Sequence, residues 1–413
     1  MTAVLSSTLQ HLTLDSESMT KGFFALSKTN RLNPVKARLP KCGICGLYKQ
    51  CHSPKMPPTG KGKKKILIVA EAPGWQEDQK NTQLIGAAGQ RLRRVLSSLG
   101  IDLDYDCWKT NAIICRPPEN KKPTNEQINA CRPNLFKTIK KYNPNVIICL
   151  GGVAVESLIG AMWKDGVGAI TRWTGQVIPG QTPNAWVVPT WHPSFINRQE
   201  EPALNILFKR HLHRAIIQCT SKPQLIGDYK SKIEIEMRPS IAAKAIRGIR
   251  KANMPIAFDY ETTCLKPERK GARIISCSVS NGEITIAFPW HGNAITEMVK
   301  LLKSPIPKIA ANAKFEERWS RIHAGGCVRN WQWCTMLAAH ILDNRKAVTS
   351  LKFQALVQFG IPSYDQQIKP YMKIGKDGLN QLPSMHLGDL LLYNGLDSFF
   401  TWKLAQLQMR KVL

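Results

Sequence analysis

The chain has 413 residues, 43% of them apolar and 21% charged, which excludes a disordered segment and leaves room for two or three globular domains. No apolar run reaches the roughly 18 residues that span a membrane, and the first residues lack the pattern of a secretion signal, so we expect a cytoplasmic protein. The formal net charge of +29 predicts a polyanionic partner, and we expect this to be nucleic acid.

The first half of the chain alternates between strand-like and helical segments. Residues 1–38 have weak periodicity, which indicates a loosely ordered lead, and the alternation runs from 39 to 220. This pattern is typical of an α/β layer with a mainly parallel sheet, in which ligands bind at the carboxyl ends of the strands. The strand-like runs are 66–70, 108–115, 146–150 and 186–190, and the helical segments are about 86–99, 124–142, 152–163 and 201–219.

A polar stretch at 221–238 predicts a linker to a second domain, which we assign to 239–413. That domain begins with three strand-like runs, and mixed helix and strand follow them. This order fits a ribonuclease-H-like α/β fold. The strand-like runs are 256–262, 273–279, 283–288 and 308–311.

Four of the 12 cysteines have the spacing of ligands. Cys42 and Cys45 form a C-x2-C pair, and Cys115 and Cys131 lie further along the chain. In a reducing compartment this arrangement predicts ligation rather than disulfides. The spacing alone suits a structural zinc ion and an iron–sulfur cluster equally well, with Cys51 as a reserve ligand.

Three motifs lie where the predicted strands of the first half end. The first is Glu-Ala-Pro-Gly at 71–74, with Glu77 and Asp78 and then Gly-Ala-Ala-Gly at 86–89 behind it. The second joins Asn111 to the Cys115 segment, and the third is His-Pro-Ser at 192–194. Together with the four cysteines, these motifs resemble the iron–sulfur uracil-DNA glycosylases usually called family 4. The resemblance covers about residues 40–200 and implies an α/β/α sandwich with a [4Fe–4S] cluster on Cys42, Cys45, Cys115 and Cys131.

The resemblance also implies roles in removing a uracil that is flipped out of the duplex. Asn111 would pair with the carbonyl and N–H of uracil, which rejects cytosine. His192 would donate a hydrogen bond to the departing base anion. Either Glu71 or Glu77 would orient water or support the cationic sugar, and the sequence does not rank them. The predicted substrate-binding residues are Gly74, Leu84, Gly86, Gly89 and Ser194.

The segment before the 86–89 motif departs from the family pattern. The family has an aromatic residue, usually Phe, where this chain has Leu84, and that residue stacks on the flipped base. The expected Gly is Asn81 and the expected Pro is Gln83. Stacking on an aromatic ring contributes about 1–3 kcal/mol per base, so its loss would weaken uracil binding.

Acidic motifs characterise the second half. Asp259 and Glu261 are two apart on a predicted strand and therefore share a face. Glu316 follows a strand–helix junction, and Tyr393 and Asp397 lie one helical turn apart. This set resembles the DEDDy 3′–5′ proofreading exonuclease domain of DNA polymerase I-like enzymes, although Glu316 stands where Asp is usual. The resemblance implies that the four carboxylates hold two Mg²⁺ or Mn²⁺ ions and that Tyr393 orients the attacking water.

A glycosylase-like domain followed by a proofreading-type exonuclease domain resembles the N-terminal part of certain phage A-family DNA polymerases. They imply a DNA repair or replication enzyme with uracil-DNA glycosylase activity, 3′–5′ exonuclease activity or both. Its partners would be uracil-containing DNA, DNA 3′ ends and a separately encoded DNA polymerase, unless the chain is a truncated product. The alternative is a non-catalytic glycosylase-like scaffold that binds DNA beside an active exonuclease. We expect no membrane partner, and host cytoplasm if the protein is phage-encoded.

Overall fold

The computed structural model describes residues 42–199 and 201–412, so the predicted lead at 1–38 lies outside the described residues. The first half is built around a five-stranded sheet of order β2-β1-β3-β5-β4. Four of its strands are parallel, and β4 runs antiparallel to β5. The strands are β1 (Ile66–Ala70), β2 (Cys107–Asn111), β3 (Val146–Leu150), β4 (Ile178–Gln181) and β5 (Asn184–Thr190).

Helices cover both faces of this sheet. They are α1 (Trp75–Lys80), α2 (Ala87–Ser97), α3 (Asn125–Tyr142), α4 (Gly152–Leu158), α5 (Pro193–Gln199) and α6 (Pro202–Ile216). Side chains alternate along β1, so Leu67 and Val69 pack with α3 and α4, while Ile66 and Ile68 pack with α2 and α6. A strand that is buried on both faces is apolar throughout, which is why 66–70 is a continuous apolar run. The predicted α/β/α sandwich is confirmed.

The second half is built around a six-stranded sheet of order β11-β10-β7-β8-β9-β6. The three central strands β7, β8 and β9 are antiparallel, and β10 runs parallel to β7. This arrangement confirms the predicted ribonuclease-H-like class. The strands are β6 (Ile233–Ile235), β7 (Ile256–Thr262), β8 (Ile274–Ser280), β9 (Thr285–Pro289), β10 (Lys308–Ala310) and β11 (Trp331–Cys334). Strand β6 lies within the stretch 221–238 that predicts a linker, yet it pairs with β9.

The helices of the second half enclose its sheet. They are α7 (Pro239–Ala252), α8 (Asn293–Lys303), α9 (Ala313–His323), α10 (Thr335–Leu342), α11 (Leu351–Phe359) and α12 (Leu387–Val412). Helices α7, α8 and α9 share one buried cluster with the sheet. Helix α12 packs against β6 so closely that a Cβ on Gly395 would lie 2.2 Å from Ile233 Cγ2. In the part of the chain that the structure describes, no helix is both long and apolar enough to cross a membrane.

The chain between α10 and α12 joins the two halves. Phe353 and Val357 of α11 belong to the same buried cluster as Trp163 and Trp173 of the first half. The ring centroids of Phe353 and Trp173 are 5.1 Å apart, and the guanidinium carbon of Arg172 lies 4.3 Å from the centre of the Phe353 ring. Burial of these aromatic groups against one another makes α11, which precedes α12 in the chain, part of the core of the first half.

Candidate active sites

The sheet of the first half brings the predicted glycosylase residues to one edge. Glu71 follows β1, Asn111 ends β2, and His192 lies two residues beyond β5. Because β1, β2 and β5 belong to the parallel part of the sheet, their carboxyl ends meet at the same edge. Gly151, at the end of β3, has φ +88°, and a Cβ there would lie 3.0 Å from the Cβ of His192. Glycine therefore lets β3 approach the histidine closely.

Asn111 is 2% exposed and contacts a residue that the sequence did not indicate as functional. Its Nδ2 donates a hydrogen bond to Oε1 of Gln83, which is fully buried. The Nε2 of Gln83 donates in turn to the backbone carbonyl of Pro57, at 3.2 Å. The two side-chain amides thus form a chain that starts at a backbone oxygen and ends at Asn111.

His192 is held as a neutral imidazole. Its Nδ1 accepts a hydrogen bond from the backbone N–H of Ser194 at 3.3 Å and lies 2.7 Å from the Ser194 hydroxyl oxygen. A neutral imidazole whose Nδ1 accepts carries its proton on Nε2. Burial lowers the pKa of His192 to about 4, with a further decrease from Arg198 and an opposing effect from Glu77. The ring therefore offers Nε2–H as a hydrogen-bond donor near pH 7.

The two candidate glutamates have different surroundings. Oε1 of Glu77 accepts hydrogen bonds from the backbone N–H groups of Ile85 and Gly86, at 3.0 and 2.7 Å. This carboxylate is thus used to hold the loop between α1 and α2. In contrast, Glu71 makes no side-chain hydrogen bond within residues 42–199 and 201–412. Burial raises the pKa of the Glu71 carboxyl, although Lys122 and Arg198 oppose the rise.

The predicted substrate-binding glycines lie against protein atoms. A Cβ on Gly74 would lie 2.7 Å from Oε2 of Glu77, and a Cβ on Gly86 would lie 3.1 Å from its Oε1. A Cβ on Gly89 would lie 2.0 Å from the carbonyl oxygen of Leu84. Leu84 itself has φ +54°, and its side chain joins the buried cluster of β1, α2 and α6. The glycines therefore let the loop 81–86 close on α1 and α2.

The predicted cysteine ligands come together beside this edge. The backbone N–H groups of Lys55 and Ile114 donate to the sulfur atoms of Cys115 and Cys131, at 3.2 and 3.5 Å. The amide of Asn134 lies 3.5 Å from the sulfur of Cys131 and 3.7 Å from that of Cys42. Burial raises the pKa of Cys115 to about 12, and the neighbouring thiols Cys51, Cys131 and Cys45 add to the rise. N–H donors on sulfur are the contacts that a ligating thiolate needs.

The separation of these sulfur atoms distinguishes two kinds of ligand set. Tetrahedral zinc with Zn–S bonds of about 2.3 Å brings its sulfur ligands to about 3.8 Å from one another. In the described residues, the only group of three or more His, Cys, Asp or Glu with ligand atoms within 4.8 Å of one another is Asp259, Glu261 and Asp397. No three of the four cysteine sulfurs lie within 4.8 Å of one another in the described residues, so in this structure they are not arranged as a zinc tetrahedron.

The acidic centre of the second half lies between β7 and α12. Asp259 and Glu261 lie on one face of β7, and Asp397 of α12 faces them, with ligand atoms within 4.8 Å of one another. Burial, and after it the charge of the neighbouring carboxylates, raises the pKa of both Asp259 and Glu261. Such a group is unfavourable as three anions and is stabilised when cations bind.

Glu316 lies near this group without joining it at that distance. It is in the first turn of α9 and is 2% exposed. Burial raises its pKa, and the charges of Asp259 and Glu261 add to the rise. Its Oε2 is a buried oxygen with no hydrogen-bond partner in the described part of the chain. An unpartnered buried carboxylate oxygen is the kind of atom that a cation would satisfy.

Three residues around the acidic centre were not indicated by the sequence motifs. Lys352 of α11 forms an ion pair with Oδ2 of Asp397, and the hydroxyl of Tyr364 donates to its Oδ1 at 2.7 Å. Asn394 donates to Oδ2 of Asp259 at 2.8 Å. Lys352 also lies 4.5 Å from the ring centre of Tyr393, the predicted water-orienting residue. Burial lowers the pKa of Lys352, but Asp397, Asp259 and other carboxylates outweigh it, so the pKa is raised.

Comparison with known families assigns each half of the chain to a domain family. Residues 57–216 match the family model of the uracil DNA glycosylase superfamily, and residues 235–406 match that of a 3′–5′ exonuclease. The chain therefore carries a domain of the uracil DNA glycosylase superfamily followed by a 3′–5′ exonuclease domain, and both are hydrolase domains.

The relatives of the first half define a narrower family than the superfamily model does. A type-4 uracil-DNA glycosylase of Archaeoglobus fulgidus is 30% identical over 207 residues, which are 48% of this chain and 98% of the relative. One of Pyrobaculum aerophilum is 34% identical over 185 residues, which are 44% of this chain and 91% of the relative. Through its first half the chain belongs to the type-4 uracil-DNA glycosylase family, as the sequence motifs predicted.

One relative extends across both halves. A DNA polymerase of Bacillus phage SP01 is 25% identical over 358 residues, which cover 78% of this chain and 37% of the polymerase. Solved structures similar to this chain include RNase D of Escherichia coli, with 12% identity and a TM-score of 0.34 over 43% of this chain and 44% of that one. NrnC of Brucella melitensis has 18% identity and a TM-score of 0.32 over 38% of this chain and 73% of that one.

Proposed function

We propose that the protein is a DNA-processing enzyme with two centres, one that excises uracil and one that hydrolyses DNA from its 3′ end. The observation that carries the proposal is that two sets of side chains converge separately. The amide, imidazole and carboxyl of Asn111, His192 and Glu71 share one sheet edge, and the carboxylates of Asp259 and Asp397 share the other centre. The division at 39–220 and 239–413, with 221–238 between them, is part of this proposal.

For the uracil centre, each step is assigned to a side chain of this protein. Asn111 pairs with the edge of the flipped base and selects uracil. The Nε2–H of His192 donates to the carbonyl oxygen on which negative charge develops as the base departs. A neutral donor suits this step because it does not give up its proton. We infer that Glu71, rather than Glu77, orients water or supports the cationic sugar, because the Glu77 carboxylate already accepts two backbone N–H groups.

For the 3′–5′ exonuclease centre, we propose Asp259, Glu261, Glu316 and Asp397 as the residues that hold two divalent metal ions. When bound, the ions would stabilise the attacking and leaving oxygens of a phosphodiester. The raised pKa values of the buried carboxylates and the unpartnered Oε2 of Glu316 fit such ligands. Tyr393 orients the attacking water, and Lys352 and Tyr364 hold Asp397 in position.

We propose that Cys42, Cys45, Cys115 and Cys131 hold a [4Fe–4S] cluster. The similarity of the first half to type-4 uracil-DNA glycosylases supports a cluster over zinc, and the N–H donors on Cys115 and Cys131 suit ligating thiolates. The cluster would tie the segment 42–56 to α3, since Cys131 lies within that helix. Its role is therefore structural. Loss of the broad absorbance of an iron–sulfur cluster in a Cys131→Ser protein is the expected result, and unchanged absorbance would contradict the assignment.

DNA is the proposed partner, and a basic segment supports it. Residues 61–65, which we call the lysine loop, carry four exposed lysines at the amino end of β1. The sheet edge with Glu71, Asn111 and His192, which we call the uracil edge, lies at the opposite end of the strands. The N–H groups of Lys61 and Lys63 donate to the backbone oxygens of Asp104 and Tyr105, at 2.8 and 3.1 Å. The ammonium of Lys61 lies 5.2 Å from the centre of the half-exposed Tyr105 ring. Fixed lysines beside an aromatic ring suit a phosphate backbone and its bases.

The similarity to the phage polymerase suggests a DNA polymerase as a further partner, and we propose the cytoplasm as the compartment. The residue roles at the two centres depend on neither the polymerase nor the compartment.

An oligonucleotide with a single uracil tests the first centre. In EDTA, which leaves no metal for the exonuclease, the purified protein is expected to generate an abasic site that alkali cleaves. A cytosine-containing oligonucleotide of the same sequence should remain intact. Absence of alkali-labile product from the uracil strand, in protein that binds DNA and is folded, would contradict uracil excision.

A second candidate function is a non-catalytic glycosylase-like scaffold that binds DNA or a polymerase beside the exonuclease. The burial of Leu84 in the core, at a position where the family has a stacking aromatic residue, favours it. Under this alternative, uracil is neither excised nor preferred in binding, while Mg²⁺-dependent trimming of a 3′ end persists. The same two oligonucleotides therefore separate the candidates.

A further inference from the structure

Gln83 has an unusual position behind the residue that we propose to recognise the base. Its side chain is fully buried. Its two polar atoms are both used, because Nε2 donates to the Pro57 carbonyl at 3.2 Å and Oε1 accepts from Nδ2 of Asn111. In the described residues this is the only side-chain hydrogen bond of Asn111.

The backbone carbonyl of Pro57 sets the direction of the hydrogen bonds that link it to Gln83 and Asn111. A backbone carbonyl oxygen only accepts hydrogen bonds, so the Gln83 group that faces Pro57 must be the NH₂. Its oxygen then faces Asn111 and requires a donor, which only the NH₂ of that amide supplies. The orientation of the Asn111 amide is thereby determined by a main-chain atom. Its Oδ1 and the second Nδ2–H stay available to a ligand.

We propose that Gln83 is a positioning residue that fixes the Asn111 amide in the orientation complementary to uracil. Uracil presents an N–H and a carbonyl where cytosine presents a ring nitrogen acceptor and an amino group, so a rotated amide would match cytosine instead. The family resemblance expects proline at this position, and proline has no side-chain acceptor. The arrangement therefore departs from the family pattern, and the inference rests on the proposed function of the first half.

The expected size of the effect follows from the hydrogen bonds involved. A net intramolecular hydrogen bond contributes about 0.5–1.5 kcal/mol, and 1.4 kcal/mol corresponds to a factor of ten. Loss of the Gln83 acceptor would leave the two amide orientations closer in energy. We therefore expect selection of uracil over cytosine to fall by about tenfold, with a smaller change in general DNA affinity.

The test compares Gln83→Leu, which removes both polar atoms, with Gln83→Glu, which keeps an acceptor facing Asn111. Gln79→Leu, an exposed residue of α1, is the matched control. For each protein, kcat and KM are measured on the uracil oligonucleotide in EDTA, and selectivity is measured by fluorescence anisotropy as the ratio of the affinities for the uracil and cytosine oligonucleotides. Circular dichroism confirms that each variant is folded.

We expect Gln83→Leu to lower the ratio of the affinity for uracil DNA to the affinity for cytosine DNA about tenfold. Gln83→Glu and Gln79→Leu should keep this ratio within a few-fold of the wild type. If the wild type excises uracil and Gln83→Leu keeps full selectivity, the inference is wrong and the proposed function stands. Faster excision by Gln83→Leu would show that Gln83 obstructs the pocket, which also overturns it. A wild type that prefers uracil in binding without excision, with the preference lost in Gln83→Leu, supports the inference and refutes the chemistry. No preference of either kind refutes both.

Discussion

The two centres of this protein differ in charge: one consists mainly of neutral hydrogen-bonding groups, and the other consists of clustered carboxylates. The uracil edge is built from an amide, a neutral imidazole and a single candidate carboxyl, and hydrogen bonds from the surrounding chain set their orientation. The centre between β7 and α12 instead gathers buried carboxylates around one ammonium group, that of Lys352. Orientation therefore governs the first centre and charge balance governs the second. Changes in shape should impair one, and changes in charge or metal supply should impair the other.

The largest expected effect is a charge change at the acidic centre. Asp259→Asn keeps the size of the side chain but removes one proposed metal ligand. We expect Mg²⁺-dependent trimming of a labelled 3′ end to fall about a thousandfold, because the metal contribution is several kcal/mol. Uracil excision in EDTA should not change. Glu283→Gln, an exposed surface change, is the control, and trimming by Asp259→Asn at the wild-type rate would refute the assignment.

The converse change is His192→Ala at the uracil edge. Loss of a donor to developing negative charge is expected to lower excision by about 100-fold to 1000-fold, measured as single-turnover formation of abasic sites. Trimming of 3′ ends should be unaffected. The exposed His213→Ala serves as control. Because His192 has a pKa of about 4, wild-type excision should show no inflection from this residue between pH 5.5 and 8.

Lys352→Met tests the charge balance directly. Breaking a buried ion pair leaves an uncompensated charge and typically costs about 3–5 kcal/mol. We expect the free energy of unfolding, measured with urea in EDTA, to fall by that amount. Mg²⁺ should restore part of it, since cations would replace the missing ammonium group. Lys346→Met, which is exposed, should change neither value. Equal destabilisation with and without Mg²⁺ would argue that Lys352 only packs against its neighbours.

Acid should destabilise the first half through its neutral histidines. Burial lowers the pKa of both His192 and His211 to about 4, below the 6.5 of an unfolded chain. The unfolded state then binds more protons, so stability is complete above pH 6.5 and is lost as pH falls toward 4. At pH 5 the loss is about 2 kcal/mol per histidine. Urea unfolding of wild type and His211→Gln at pH 7 and 5 measures it, and an equal pH dependence in both proteins would contradict the assignment to His211.

The smallest effect is expected at the lysine loop, which belongs to neither centre. Lys61→Gln combined with Lys63→Gln should reduce the slope of log affinity against log salt by up to about 0.9 per lost phosphate contact. Excision at saturating DNA should be unchanged. Lys244→Gln with Lys251→Gln, on the exposed side of α7, is the matched control. An unchanged salt slope in the lysine-loop variant would place DNA elsewhere on the surface.

The agreement between sequence and structure differs between local and long-range features. The apolar run at 66–70 is strand β1 and the segment at 124–142 is helix α3, because their patterns reflect burial of each element on one or two faces. The short strands β4, β6 and β11 were not predicted, since three or four residues carry little periodicity, although the equally short β10 was predicted. Gln83 and Lys352 were not predicted as site residues for another reason: their partners lie 28 and 45 residues away.

By itself, the sequence determined the order of the elements, the two families and the placement of polar residues at strand ends, all of which depend on local patterns and motif spacing. The proposed preference for Glu71 over Glu77, the orientation of the Asn111 amide and the protonation of His192 depend on the tertiary structure. Each is set by burial and by hydrogen bonds between segments that are distant in the chain, and such contacts leave no periodic trace in the sequence.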